Sequence, residues 1–321
     1  GAAIIDWYEV NRSPRLSAFP PSPKQLIVSY IMEMFGGEGL LRPAMHYRWN
    51  FDADNLDFIT QQFGLFAAPH ETPEDRHAMA LHASGRMRKA CAAFGVNETT
   101  IPAIEQAYMA FLAELNRHFT AHPYLLGGVP TLGDYGLFAA LYAHLGRDPH
   151  PAHLMKKHAP AVYRWTERMN ASGADFPEFI DYPEALIGGD DIADTLMVLL
   201  RRVADDYLPE IKAMVACHNN FATHNQPDVG ALVGGKSLGR GIGMCQFEWR
   251  GVTIECAVMP YRVFMLQRIQ DAYDNFDAIA RAKVDVLLQA TGLSDIITTR
   301  CLRRIERKNH LEIWGGKNRA A

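Results

Sequence analysis

Apolar residues recur every three or four positions through the first half of the chain, the spacing typical of helices that bury one face. Ser22 followed by Pro23 marks one helix start, and Thr72 marks another, with a helix that runs to a stop near Gly95. The pattern predicts about five helices over residues 24–170. The first of them carries its apolar stripe at Leu26, Ile27, Tyr30, Ile31, Met34 and Phe35.

The clearest local signal is the pair Thr131 and Asp134, which has the spacing of a capping box. The Thr131 hydroxyl can accept the N–H of Asp134, while the Asp134 carboxylate can reach back to the N–H of Thr131. Pro130 ends the preceding segment, and a second helix is predicted to open at Pro160. The two helices carry apolar stripes at Leu137, Phe138, Leu141 and Tyr142, then at Val162, Trp165 and Met169. We therefore expect Thr131 and Asp134 to be structural, capping residues.

The second half of the chain changes its pattern. Residues 191–217 predict one long helix, and residues 243–260 then switch to the alternation of strands. Two alternating runs flank Arg250-Gly251, which predicts a β-hairpin with a two-residue turn. A final long helix is predicted over residues 261–288. Residues 188–321 therefore form an expected α+β appendix of long helices and one β-hairpin.

Composition limits the classes of partner. The chain has 321 residues, of which 48% are hydrophobic and 21% charged, which is enough for a full core and predicts two folded units. A net charge of −4 gives no reason to expect nucleic acid or an anionic membrane as a partner. No apolar run reaches the length of a membrane span, and no signal peptide is visible. Five scattered cysteines without Cys-x-x-Cys spacing favour reduced thiols in a cytoplasm.

The segment from Tyr124 to Met169 resembles the C-terminal helical domain of the glutathione S-transferases. The resemblance rests on the Leu-Gly-Gly lead-in, the capping pair, and a short helix that ends in a Trp-x-x-Arg-Met run. It implies a mainly α fold, with a transferase-like helical bundle over residues 24–180 followed by the appendix. Bacterial transferase-like proteins carry a similar appendix.

The first residues extend the resemblance. Ala3, Ile4, Trp7 and Tyr8 have helical spacing and resemble the helix that closes the thioredoxin-like domain of the transferases. Residues 1–10 are therefore interpreted as the remnant of that helix, with a proline-rich linker over residues 11–23. On this alignment the family's glutathione-contacting Ser or Thr would fall at Gly1. The glutathione loop and the thiol-activating group would lie upstream, although a natural start after processing is the alternative.

The resemblance implies a transferase function for the intact protein, of which this chain would supply only a part. Glutathione would be the co-substrate of the intact protein, and this chain alone would bind no cofactor and be inactive. It would supply the wall of the site for a small-molecule electrophile and the surface of a homodimer. The alternative function is a non-catalytic, transferase-fold module that binds a partner protein through residues 188–321.

His46, Tyr47 and Arg48 form the densest polar and aromatic cluster and are the candidate substrate-binding residues. They follow the first helix of the bundle, which borders the substrate cleft in this family, and an arginine there could orient an anion. Tyr30 and Met34, on that preceding helix, are further candidates for the cleft wall. The alternative is a structural corner, in which Arg48 pairs with an acid such as Asp52 or Asp54.

Three other patterns suggest chemistry on spacing alone. Gly230–Ser237 fits the phosphate-loop pattern letter for letter, but no core strand precedes it and glycines follow where a helix is needed, so we expect no nucleotide site. Histidines crowd residues 144–158 without a zinc spacing or a nearby cysteine, so we expect no metal site. The basic run over residues 300–308 is expected to be a solvated terminal face.

Overall fold

The computed structural model describes residues 2–12, 14–171, 176–235 and 241–318. Helices dominate it, with two small antiparallel hairpins in the last third of the chain. The helices are α1 Ala2–Arg12, α2 Pro23–Met34, α3 Leu41–Trp49, α4 Asp52–Ala67, α5 Pro73–Lys89, α6 Ile101–Ala121, α7 Leu132–Ala140, α8 Pro149–His158, α9 Pro160–Asn170, α10 Asp194–Asn225, α11 Pro260–Asp274, α12 Ala278–Thr291 and α13 Asp295–Thr298. The strands are β1 Met244–Trp249, β2 Val252–Ala257, β3 Arg303–Lys308 and β4 Leu311–Lys317.

Two glycines let α7 approach α2 and the π-helical turn Phe35–Gly39 that follows it. A Cβ atom on Gly36 would lie 2.3 Å from the backbone nitrogen of Leu137. A Cβ atom on Gly136 would lie 2.4 Å from the Cα atom of Glu33. Backbone atoms cannot give way as a flexible side chain can, so both positions require glycine.

The start of α7 is held by the carboxylate of Asp134, which has no exposed surface. Its Oδ2 atom accepts the Thr131 N–H at 2.9 Å, the bond expected from the Asp134 arm of the capping box, and also the Thr131 hydroxyl at 3.0 Å. Its Oδ1 atom accepts the Leu125 N–H at 3.0 Å and the Trp165 Nε1–H at 3.2 Å. Asp134 therefore joins α7, the loop before it and α9. Burial raises the pKa of Asp134 to about 6, although all of these hydrogen bonds lower it.

The appendix packs directly on the bundle, with α10 against α6 and both α11 and α12 against α2. Arg268 on α11 makes one of these joints, because it pairs with Asp6 of α1 at 2.6 Å and lies 3.4 Å from Glu33 of α2. Burial raises the pKa of Glu33 to about 7. The N-terminal helix is thus tied to residues far along the chain.

A second joint consists of four charged side chains, Glu38, Arg42, Glu210 and Arg262, here called the buried ionic cluster. Arg42 donates to Glu210 at 2.7 Å, and Arg262 donates both to Glu210 and to Glu38, the latter at 3.1 Å. The two positive and two negative charges balance, as burial of ions requires. The cluster connects α3 and the turn after α2 with α10 and α11.

The prediction of one final long helix over residues 261–288 was wrong. Two helices take its place: α11 ends at Asp274, and α12 begins at Ala278. The carboxylate of Asp277 accepts the N–H of Ala280 at 2.8 Å and so caps the new helix. An N-cap aspartate is a local signal for a helix start. The prediction missed it because apolar residues keep helical spacing on both sides of Asp277.

The prediction of one hairpin missed the second, formed by β3 and β4. Asn309 and His310 make its turn with φ values of 50° and 65°, the left-handed pair that a two-residue turn requires. Ile305 and Trp314 face each other and are buried. Residues 303–308 of the basic run therefore form a strand, and three of the four arginines in the run pair with acids of the same chain, such as Arg304 with Asp271 at 2.6 Å. The prediction that residues 300–308 form a solvated terminal face was wrong.

The mainly α fold predicted from the sequence is confirmed, and the appendix has two hairpins in place of one. The predicted number of about five helices in the bundle was too low, because residues 23–170 form eight α-helices, α2 to α9. Within the described ranges, no helix is both long enough and apolar enough to cross a membrane.

Candidate functional site

Helix α3 carries the three candidate residues His46, Tyr47 and Arg48, and it directs them to different surroundings. Arg48 makes a two-pronged ion pair with Asp148, with Nε–Oδ2 and Nη2–Oδ1 distances of 2.7 and 2.9 Å. The carbonyl of Ala143 accepts from the same guanidinium at 3.1 Å. Burial raises the pKa of Asp148, and its bonds to Arg48 lower it by a smaller amount.

The acid that pairs with Arg48 is therefore neither of the two that the sequence suggested. Asp52 pairs with Arg88 at 2.7 Å, and Asp54 pairs with His150 at 2.7 Å. Asp148 precedes α8, a hundred residues along the chain, so no local spacing could reveal it.

Arg48 lies at the wall of a cavity of about 210 Å³, here called the aromatic cavity. Helix α4 forms one side of the cavity, and the segment around Ala143–Asp148 forms the other. The lining residues are Arg48, Phe58, Ile59, Gln62, Phe63, Phe66, Ala143, Arg147 and Asp148. Apolar rings and two guanidinium groups thus share one opening.

The second guanidinium differs from the first in its electrostatics. Arg147 is exposed, and its Nη2 donates to the neutral amide oxygen of Gln62 at 2.7 Å. Arg48, by contrast, forms an ion pair with the buried carboxylate of Asp148. Arg147 is therefore the better placed of the two to bind an incoming anion.

His46 and Tyr47 are buried in the protein and do not line the aromatic cavity. His46 Nε2 lies 2.9 Å from Glu105 Oε1, and its Nδ1 lies 2.9 Å from the side-chain amide of Asn50. Burial lowers the pKa of His46, and the bond to Glu105 raises it by less. Tyr47 packs parallel to Phe51 at 5.5 Å, and burial raises its pKa well above the ordinary value.

Tyr30 and Met34 lie on α2, away from the aromatic cavity. Met34 has no exposed surface. The Tyr30 ring is covered by the guanidinium of Arg268, 5.2 Å from its centre, and by Phe19 on another side at 5.9 Å. The appendix therefore covers the face of α2 on which the sequence analysis placed the cleft wall.

Sequence reasoning missed Phe58, Phe63 and Phe66, which form the apolar side of the cavity. A signal was present, because these three residues, together with Ile59 and Gln62, recur at intervals of three and four positions along one face of α4. Arg147 could not have been found from the sequence. It follows the π-helical turn Leu141–Leu145, and it lies at the cavity because the fold brings it within hydrogen-bond distance of Gln62 on α4.

The crowded histidines are dispersed in the structure. His150 stacks on Phe51 at 3.6 Å, and His144 has its pKa lowered to about 4, mainly by burial. In the part of the chain that the structure describes, no three His, Cys, Asp or Glu side chains converge as metal ligands would.

Comparison with known families adds the decisive observation. Residues 98–168 match the family model described as "Glutathione S-transferase, C-terminal domain". The match covers α6, α7 and α8 and most of α9, including the Thr131–Asp134 cap.

This chain contains a glutathione S-transferase C-terminal domain. The resemblance found in the sequence is thereby confirmed over residues 98–168. Comparison with curated proteins gave no match, and neither did comparison with solved structures.

The aromatic cavity lies at the border of the glutathione S-transferase C-terminal domain. Ala143, Arg147 and Asp148 belong to the matched residues, whereas Arg48 and the phenylalanines of α4 precede them. The cavity is therefore built where α4, which precedes the matched residues, packs on α8.

Proposed function

We propose that this chain is the electrophile-binding part of a glutathione S-transferase-like protein. The aromatic cavity takes a small apolar molecule that carries a negative charge. The observation that supports this is the meeting of three phenylalanine rings with Arg48 and Arg147 around one opening. Apolar walls with a few placed polar groups are what small-molecule sites use, and guanidinium groups bind carboxylates in a fixed geometry.

The residues of this site have distinct roles in the proposal. Arg147 binds the anionic group, and the α4 rings hold the apolar body. Arg48 with Asp148 fixes the wall between α3 and α8. His46 and Tyr47 are positioning residues, since they anchor α3 in the core and do not reach the cavity.

Glutathione is the proposed co-substrate, as in the transferases whose C-terminal domain residues 98–168 match. The attacking species is the thiolate, and we assign the lowering of the thiol pKa to a group outside the aromatic cavity. We propose a homodimer as the assembly. This chain by itself is then expected to conjugate glutathione with a chloronitrobenzene no faster than the uncatalysed reaction. A rate proportional to the concentration of the chain would contradict the division of roles.

The site is tested with two fluorescent probes of similar shape, the anionic 8-anilinonaphthalene-1-sulfonate and the neutral N-phenyl-1-naphthylamine. Arg147→Gln should raise the Kd of the anionic probe about tenfold or more, because a hydrogen bond to a charged group contributes about 1.5–3 kcal/mol. The Kd of the neutral probe should stay unchanged, while Phe66→Ala should weaken both.

Arg86→Gln is the matched control, because Arg86 is an exposed arginine of the neighbouring helix α5 that does not line the cavity. It should leave both Kd values unchanged. Equal weakening by Arg86→Gln and Arg147→Gln would show a general effect of surface charge, and the aromatic cavity would not be the site.

A second candidate function, a protein-interaction module, is favoured by the exposed face of α12. Ile279 and Val286 are 72% and 68% exposed, and they line a groove of about 1140 Å³ between α12 and the start of α10. The groove carries Lys24 and Lys283 together with Asp191 and Asp194. Charges of both signs on one apolar surface suit a self-complementary contact, so a second copy of the chain is the proposed occupant.

Sedimentation velocity tests this contact. Val286→Asp should shift a dimer to monomer, and Val229→Asp, the same substitution at an equally exposed position outside the groove, should not. A dimer unaffected by Val286→Asp, or a chain that is monomeric at every concentration, would exclude this groove as the dimer surface.

A further inference from the structure

Two of the five cysteines face each other across the first hairpin. Cys245 on β1 and Cys256 on β2 occupy directly opposite positions, and their Sγ atoms lie 3.8 Å apart. Cα atoms of directly opposite residues in an antiparallel pair are about 4.5–5.5 Å apart, within the range of about 4.4–6.8 Å that a disulfide spans. Formation of the bond requires movement of the side chains and leaves the strand pairing in place.

The surroundings of the pair are unusual for buried thiols. Both residues are almost fully buried, with exposed fractions of 3% for Cys245 and 1% for Cys256. The Cys256 thiol donates to Glu210 Oε1 at 3.7 Å, so one thiol contacts the buried ionic cluster. Arg42 and Arg262 converge on the same carboxylate. The pair therefore lies beside fixed positive charges and a proton acceptor.

We propose that Cys245 and Cys256 are a modification site, a dithiol that a peroxide oxidises to a cross-strand disulfide. The Cys245 thiol loses its proton, and the resulting thiolate attacks one oxygen of hydrogen peroxide. The O–O bond breaks, and the departing hydroxide takes up that proton, which yields a sulfenic acid and one water. The Cys256 sulfur then attacks the Cys245 sulfur and passes its proton towards Glu210. The hydroxyl group leaves with that proton as a second water. Two thiol hydrogens are lost in total, and one peroxide is reduced to two waters.

Oxidation changes the buried ionic cluster as well as the hairpin. The disulfide has no S–H group, so Glu210 loses the donor that Cys256 supplies. Glu210 keeps its ion pairs to Arg42 and Arg262, which connect the bundle with the appendix. The oxidation state of the hairpin is thus transmitted to the joint between the two parts of the chain.

The other cysteines provide contrasts within the same molecule. Cys91 and Cys217 are partly exposed. Cys301 is as buried as Cys256, but no hydrogen bond or ion pair links it to the described thiols. Accessibility alone would favour oxidation of Cys91 and Cys217, whereas proximity favours the hairpin pair.

The whole chain is treated with hydrogen peroxide, blocked with iodoacetamide in denaturant, digested and mapped by mass spectrometry. We expect a disulfide that joins the Cys245 and Cys256 peptides, formed at a rate independent of protein concentration and reversed by dithiothreitol. Recovery of both cysteines as alkylated thiols after Cys217 has been oxidised would overturn the proposal. A disulfide from either of them to Cys217 would also overturn it.

Variants separate proximity from general reactivity. In Cys256→Ser, the Cys245 sulfenic acid should persist and be trapped by dimedone. Cys301→Ser is the matched control and should form the hairpin disulfide at the parental rate. The mapping of the parent chain needs no variant, so the proposal stays testable even if Cys256→Ser does not fold. Loss of the disulfide in Cys301→Ser would contradict the assigned pairing.

Discussion

Single side chains in this protein often serve several elements at once, and Asp134 is the clearest case. Its carboxylate accepts from Thr131, Leu125 and Trp165, which belong to a helix start, a loop and a neighbouring helix. A residue of this kind does more than cap a helix. Its replacement leaves several buried donors without an acceptor.

Thr131→Ala should lower the free energy of unfolding by about 1 kcal/mol, the usual cost of losing an N-cap. Asp134→Ala should cost more, about 3 kcal/mol or above, because each buried donor left unpaired costs about 1–3 kcal/mol. Urea denaturation measures both values. Thr99→Ala, at an exposed position, should change the free energy by less than about 0.5 kcal/mol. Equal costs for Thr131→Ala and Asp134→Ala would contradict the wider role of Asp134.

Glu33 gives a pH dependence whose sign follows from its burial. Its pKa is about 7 in the folded chain against an ordinary 4.5, so the folded state binds the proton more tightly. The stabilisation from this group is fully present below pH 4.5 and is lost as the pH rises through 7. At about 1.4 kcal/mol for each pKa unit, the loss across that window is roughly 3 kcal/mol.

Glu33→Gln should remove this part of the pH dependence. The free energy of unfolding of the variant, measured by urea denaturation at several pH values, should gain on that of the parent between pH 4.5 and 7. His118 titrates with the opposite sign, since its pKa is lowered to about 3 by burial, and it is present in both proteins. A constant difference between parent and variant across the window would show that Glu33 has an ordinary pKa.

Elements of the core meet more closely than their sequences alone suggest, as the crossing of α2 and α7 shows. Gly36→Ala should destabilise the chain by about 1–3 kcal/mol or more, because the new Cβ atom would meet backbone atoms of α7. Gly37→Ala is the neighbouring control, since a Cβ atom there would find nothing within 4 Å. Thermal unfolding compares the two variants. Similar melting temperatures would mean that the helices can move apart at little cost.

The segment with the phosphate-loop pattern shows that a match to a sequence motif can mislead. Lys236 and Ser237 lie outside the described residues. In the described part, the N–H groups of Gly230 and Val233 donate to Trp314 and Glu312 of β4, so they do not point to a ligand. Equilibrium dialysis with ATP and Mg²⁺ should show no binding tighter than about 1 mM, or about 4 kcal/mol. Micromolar binding that Lys236→Ala abolishes would contradict this prediction.

Elements with a strong local signal were predictable, and those decided by distant contacts were not. The Thr131 cap and the Arg250-Gly251 turn have short spacings that work within a few residues. The break before α12 and the hairpin of β3 and β4 were missed, because a helical pattern runs across the break and arginines fill the strand. In the candidate site, Arg48 was found by its chemistry, whereas its partner Asp148 depends on the fold.

At the scale of the molecule, the buried ionic cluster holds the transferase-like domain and the appendix together. Arg262→Met should lower the free energy of unfolding by about 3–5 kcal/mol, because it leaves two buried carboxylates with one cation. Arg86→Met, at the surface, should have little effect. In the parent chain, circular dichroism and tryptophan fluorescence should report the same single unfolding transition. Two separate transitions there would show that the two parts unfold independently.

The packing of α11 and α12 on α2 has a consequence for synthesis of the protein on the ribosome. Helix α2 emerges early, but the helices that cover it follow more than two hundred residues later. Until then the face of α2 that α11 and α12 cover must stay in solvent or be bound by a chaperone. Packing of α2 is therefore complete only after α11 and α12 have been synthesised. A nascent chain stalled after residue 190 should remain sensitive to protease, and one stalled after α12 has left the ribosome should not.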